Sequence, residues 1–128
     1  MNMELLGLSC IFPSKDIKTT SEFYVSKLGF SAVEYLTCEE PHICLYRDKT
    51  EIILLSSKGK GIIPNRVAFG YGYDAYLYTD APEILQNEFL GKNVKITKPL
   101  NVTDYGNKEF VIEDIDGRWI AFGYKENR

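Results

Sequence analysis

One histidine, one tryptophan and three cysteines are all that 128 residues offer of the side chains that most often carry chemistry. A lone histidine, His42, in what reads as an exposed hairpin makes a poor shared base for a Ser-His-Asp or Cys-His nucleophile set. Three cysteines at irregular spacing build no disulfide framework and fit a reducing compartment. No apolar run approaches the roughly eighteen residues that a membrane-spanning helix needs. The opening residues, Met1-Asn2-Met3-Glu4-Leu5, lack the basic region and long apolar core of a secretory leader, so the expectation is a cytoplasmic protein. A net charge of -3 with mixed signs gives no basic stripe, which argues against nucleic acid as a partner. Gly59 and Gly61 lack the spacing and the following helix of a phosphate-binding loop.

What the chain has is aromatic and apolar: nine tyrosines, seven phenylalanines and a hydrophobic fraction of 45%, enough for a packed interior. Near the C-terminus, Phe110 to Glu113 and Arg118 to Phe122 read as two strands joined at Asp114-Ile115-Asp116-Gly117, where Asp-Gly supplies the positive φ of a tight turn. Cys44 to Leu55 repeats the device, with a charged turn at Asp48-Lys49. Leu5 to Phe12 reads as a first strand closed by Pro13. A helix follows, with Thr19 and Glu22 at capping-box spacing and Gly29 as the residue that ends it. Strands over Phe30 to Leu36, Pro41 to Tyr46 and Glu51 to Leu55 complete a β-α-β-β-β unit.

The order then recurs. Tyr71 to Thr79 reads as a strand, and Asp80-Ala81-Pro82-Glu83 opens a helix with Asp80 as cap and Gly91 as its end. Val94 to Thr97 is a strand before Pro99, and the closing hairpin adds two more. Two copies of one unit, residues 1–56 and 71–128 joined by a linker over 57–70, predict an α+β fold. Each helix would cover one face of its sheet and leave the other face open.

Ser14-Lys15-Asp16, Phe23-Tyr24 with Lys27-Leu28-Gly29-Phe30, and Gly106-Asn107-Lys108-Glu109-Phe110 running on through Asp114-Ile115-Asp116-Gly117 to Gly123 resemble the glyoxalase/bleomycin-resistance (vicinal-oxygen-chelate) superfamily. The resemblance covers nearly the whole chain. It implies two βαβββ modules forming a curved mixed sheet around a cleft, with helices outside, commonly as a homodimer. Metal-using members carry His, Gln or Glu at up to four inward strand positions. By the resemblance these fall on Ser9, Ile53 (or Leu54 on a slipped register), Tyr73 and Ala121, which cannot hold a divalent metal. No cofactor is therefore expected. The group Cys38, His42 and Cys44 has no standard zinc spacing either.

If Ala121 faces the cleft, alternation places Trp119 and Gly123 beside it and Ile120 and Phe122 behind. The same counting from Tyr73 brings Tyr71, Ala75 and Leu77 inward, and from Ser9 brings Gly7 and Ile11. Glu51 would stand at the rim, and Tyr105 in the loop before the closing hairpin. Trp119, Tyr73, Ser9, Ala121, Ile53, Glu51, Tyr105 and Tyr71 are thus the candidate ligand-binding residues, either stacking on a planar ligand or filling the cleft as core. The reading this favours is a metal-free small-molecule binder of the bleomycin-resistance type. The alternative is a glyoxalase-like lyase or isomerase, or a dioxygenase, with a divalent metal held by Glu51, Glu109 or Glu113. A ligand-sensing or partner-binding module is a third.

Overall fold

The computed structural model describes residues 3–126; Met1, Asn2, Asn127 and Arg128, with the outermost limits of the two expected units, lie outside the described residues. The chain runs β1 (Ser9–Ser14), α1 (Ile17–Leu28), β2 (Ser31–Tyr35), β3 (His42–Arg47), β4 (Thr50–Ser56), α2 (Asn65–Ala68), β5 (Ala75–Tyr78), α3 (Pro82–Gly91), β6 (Lys95–Val102), β7 (Asn107–Glu113) and β8 (Trp119–Lys125). The strands form two four-stranded mixed sheets of the same topology, ordered β1-β4-β3-β2 and β5-β8-β7-β6. In each, the first strand runs parallel to the last and the other pairs are antiparallel. The fold is α+β, and neither sheet closes into a barrel.

Period-two alternation divides each sheet into a helix side and an open side. Phe12, Leu54, Ile43 and Leu45 on the first sheet, and Ile120, Phe122, Phe110 and Ile112 on the second, face the helices. With Tyr24, Leu28, Phe30 and Phe89 they form one contiguous core shared by both units. Phe89 meets Phe110 and Phe122 edge-on, at ring separations of 5.9 and 5.2 Å.

Several sequence expectations shift here. Asp16 caps α1, accepting from the Lys18 and Thr19 amides, so the capping-box reading of Thr19 and Glu22 is replaced by a cap three residues earlier. Gly29 ends the helix as expected, at φ 76. The cap of α3 is Ala81 rather than Asp80, and the Thr79 hydroxyl accepts the Ala81 amide instead. Gly91 stays inside α3, and the chain turns at Asn93 with φ 60. Pro13 and Pro99 were expected to stop strands, yet β1 and β6 run through them. Both strands lie at sheet edges, where a missing N–H breaks no ladder, and β6 absorbs its proline with two register shifts. Residues 5–8, expected in the first strand, lie outside it: β4 begins at Thr50, one residue beyond the partner of Ser9, and offers no strand for residues 5–7 to pair with.

The two units are tied by a buried polar knot. Tyr24 Oη donates to Asp114 Oδ2 at 2.7 Å, and Arg118 Nε donates to the same oxygen at 2.9 Å. Asp114 Oδ1 accepts the backbone amides of Asp116 and Arg118, both at 2.9 Å. Arg118 reaches on to the Pro13 carbonyl at 2.7 Å and to Asp116, which also accepts from Thr20 Oγ1 at 2.6 Å. Burial pushes the Asp114 carboxyl up against the opposing pull of Arg118. Burial and the Asp114 charge push the Tyr24 phenol well up. Among the described residues no helix is long and apolar enough to cross a membrane, and Cys10, Cys38 and Cys44 are free thiols.

Candidate functional site

The register sets the chemistry of both open faces. On the first sheet, strand pairing lays out three rows: Ser9, Glu51, Tyr46 and Ser31; Ile11, Ile53, Cys44 and Val33; Pro13, Leu55, His42 and Tyr35. Ser9 Oγ donates to Glu51 Oε1. That bond, with Tyr46 beside it, holds the Glu51 carboxyl below its ordinary range, and Glu51 in turn raises the Tyr46 phenol. The rest of the face is mainly apolar, with Ile11 59%, Val33 42% and Leu55 40% exposed, Cys44 buried and His42 its polar exception.

On the second sheet the open face carries Trp119, Ala121 and Gly123 from β8, with Glu113, Val111 and Glu109 opposite them on β7. Tyr76 and Tyr78 come from β5. The middle of this face is covered, with Val111 and Ala121 buried, and Glu109 is its unexpected member, an acid 1% exposed on the side away from the core. Tyr73 Oη donates to its Oε2 at 3.1 Å, and Tyr105 Oη donates to the same oxygen at 2.8 Å. Burial, then Tyr105 and Glu109, raise the Tyr73 phenol; burial, then Glu109, raise that of Tyr105. Asn107 Nδ2 donates to Tyr76 Oη at 3.1 Å. Gly123 lets β7 come this close: a Cβ there would lie 2.7 Å from the Glu109 Cβ.

Trp119 stands two rows along. Its indole N–H donates to Glu113 at 3.1 Å. The Arg66 guanidinium lies over its ring at 4.8 Å and the Lys98 ammonium at 5.8 Å, so the protein's own cations occupy the aromatic surface. Arg66 is delivered by α2, in the segment read as linker, and pairs with Glu113 at 3.6 Å.

The structure therefore sorts the sequence-predicted site residues into two sets. Ser9, Glu51 and Ile53 share the open face of the first sheet; Tyr73, Tyr105, Trp119 and Ala121 gather on that of the second. Tyr71 joins neither set and is 79% exposed. The inward placement of Ala75 and Leu77 beside Tyr73 is corrected: both pack against the core, and Tyr76 and Tyr78 take the open side. The reason is local. Gly70 and Gly72, at φ 84 and 99, keep residues 71–74 out of the strand, so alternation cannot be counted through them. A cavity of about 470 Å³ lies over Phe30, Leu85 and Phe89 at the junction of the two units, and one of about 540 Å³ lies between residues 60–63 and the Ile11, Pro13 and Leu55 end of the first sheet's open face.

Among the described residues no three His, Cys, Asp or Glu side chains converge on a point. Glu51 stands on one sheet; Glu109 and Glu113 stand on the other, engaged by tyrosines and by Trp119 and Arg66 respectively. That donor set does not fit a divalent metal of the kind the resemblance associates with enzymes.

Residues 8–122 match the family model described as the Glyoxalase/Bleomycin resistance protein/Dioxygenase superfamily. The chain belongs to that superfamily. No curated protein matches the chain significantly. Among solved structures it is similar to UcmS2, at 16% identity and a TM-score of 0.73 over 94% of this chain and 98% of that one. A superfamily member from Sphaerobacter thermophilus DSM 20745 gives 19% identity and a TM-score of 0.73, over 95% and 98% of the two chains. TnmS3, an antibiotic binding protein from Streptomyces sp. CB03234, gives 18% and 0.70 over 96% and 98%. At these identities the likeness is one of fold. Superfamily membership agrees with the duplicated βαβββ plan and leaves the ligand to be argued from the open faces.

Proposed function

We propose that this superfamily member is a metal-free small-molecule binding protein that sequesters a planar or aromatic ligand, in the reducing cytoplasm and as a homodimer. The observation that carries the reading is the open face of the second sheet. Trp119, Tyr73, Tyr76 and Tyr105 stand there around a floor made small by Ala121 and Gly123, and no nucleophile and base are paired on it. Such a surface offers stacking area and hydrogen-bonding phenols, which suit retention rather than turnover. That TnmS3 is an antibiotic binding protein of the same fold supports binding as a use of this architecture.

What one chain leaves uncovered supports the homodimer. Met3, Leu5, Leu6 and Leu8 are 89, 98, 92 and 88% exposed, and the open face of the first sheet is apolar. We infer that a second copy covers both, laying the first sheet of one protomer over the second sheet of the other and closing the cleft between Glu51 and Trp119.

Because Trp119 is the only tryptophan, its emission reports the site directly. Titration with planar aromatic drugs is expected to give a saturable change, as the ligand displaces Arg66 and Lys98 from the ring, with a Kd on the order of micromolar. Ala121→Phe, which fills the floor, is expected to abolish the response while the far-ultraviolet circular dichroism stays that of the parent. A flat response of the parent protein across the panel would refute sequestration at this face.

A further inference from the structure

We propose that Glu109 is the specificity residue of the cleft and selects ligands bearing a protonated amine. The proposal rests on the ligand-cleft reading above and names the chemistry of what enters.

Glu109 is a buried acid with half its bonding capacity unused. Its Oε2 accepts from Tyr73 and Tyr105, whereas Oε1 is buried and has no hydrogen-bond partner. An unpaired carboxylate oxygen in a tyrosine enclosure is costly, and a donor that completes it recovers that cost. Tyr76 stands close as well, its phenol raised by burial and then by Glu109, yet it makes no hydrogen bond to this oxygen. Two cations stand on this side without bonding that oxygen: Lys98, whose Nζ lies 3.5 Å from Tyr73 Oη and 5.4 Å from that ring, and Lys125, one row along, 6.0 Å from the Tyr78 ring. Lys108, next in the chain, is turned away to pair with Glu83.

The surroundings select among donors. Tyrosine faces beside a carboxylate favour an ammonium, which is attracted by the rings and by the acid at once. A neutral alcohol satisfies the oxygen with a weaker bond, and a carboxylate ligand is repelled. Access is local. Tyr105 closes the enclosure from the loop between β6 and β7 and is itself 59% exposed, so its side chain can swing out without disturbing a strand. Trp119 lies on the same face of β8, two rows from Gly123 and the Glu109 position. The two rows stand about 13 Å apart along the strand, so a short ammonium and its ring would lie beside Glu109 among the tyrosines, and only a longer ligand would also reach Trp119.

The test uses three probes of one shape: naphthylmethylammonium, naphthylmethanol and naphthoate, each titrated calorimetrically into the intact protein. The expected order is ammonium over alcohol by about tenfold or more, with naphthoate weakest. Glu109→Gln keeps the size and the acceptor for Tyr73 and Tyr105. It is expected to bring the ammonium down to the alcohol while leaving the alcohol's affinity within about twofold. Lys98→Met, an exposed change, is expected to raise ammonium affinity several-fold by removing the resident cation from the Tyr73 and Trp119 faces. If the parent protein binds alcohol and ammonium equally, the cleft stands and the role of Glu109 falls. If none of the three binds, the cleft reading falls and takes this inference with it. An unchanged ammonium-to-alcohol ratio in Glu109→Gln, or in Glu109→Leu should the first variant not fold, also overturns the proposal.

Discussion

Asp114→Ala is expected to lower the unfolding free energy by about 3–5 kcal/mol, a large part of the roughly 5–15 kcal/mol that holds a domain of this size. The substitution strips the acceptor from Tyr24 Oη, from Arg118 Nε and from two backbone amides at once. It also leaves Arg118, 2% exposed, as a buried guanidinium with only Asp116 and the Pro13 carbonyl to face. A guanidinium cannot escape by losing its proton. Urea unfolding at neutral pH measures the loss. Asp114→Leu combined with Arg118→Met is expected to recover only the part due to the unpaired charge, because Tyr24 Oη, the amides of Asp116 and Arg118 and the Pro13 carbonyl still lose their partners. A single variant that unfolds within about 1 kcal/mol of the parent would show that the knot adds little to the tie between the two units.

Changing Leu5, Leu6 and Leu8 together to serine is expected to convert a dimer into a monomer at micromolar concentration. Each leucine buried against a second copy contributes about 1.5–3 kcal/mol. Losing three should raise the dissociation constant by at least about a hundredfold. Sedimentation equilibrium reads this directly. The thermal midpoint of the isolated chain should not fall, since these side chains are exposed there already. Ligand affinity should fall with the dimer if the cleft is closed from the opposite protomer. A parent protein that sediments as a monomer would overturn the assembly, and with it the idea that Glu51 and Trp119 face one ligand.

Much of this architecture was legible in the residues. The duplicated order of elements, the turn at Asp114 to Gly117 and the helix end at Gly29 follow from local chemistry that tertiary contacts do not override. So does the alternation along Trp119 to Gly123, where a regular strand carries the count without interruption. The failures share a cause: each depended on a neighbour distant in sequence. Alternation through Tyr71 to Leu77 broke at two glycines whose backbone angles place residues 71–74 outside the strand. Asp114 reads as a turn residue, and nothing near it announces that Tyr24, ninety positions away, and Arg118 will bury it. Glu109 is hardest of all, because an acid in an amphipathic strand reads as solvated. Only Tyr73 and Tyr105, brought in from two loops, enclose it. Gly123 was the one available signal, a strand residue without a side chain opposite an acid.

The prolines on the outer strands have a consequence for how this molecule meets others. β1 and β6 stand at opposite sheet edges in different units, one interrupted by Pro13, the other by Pro99 and two register shifts. Neither can present an unbroken row of amides to a stray strand. Runaway edge-to-edge growth is thus discouraged along those borders, while the broad faces stay free. A chain guarded at two of its four sheet edges and bare on its broad faces is disposed to pair face to face instead of lengthening along those two edges.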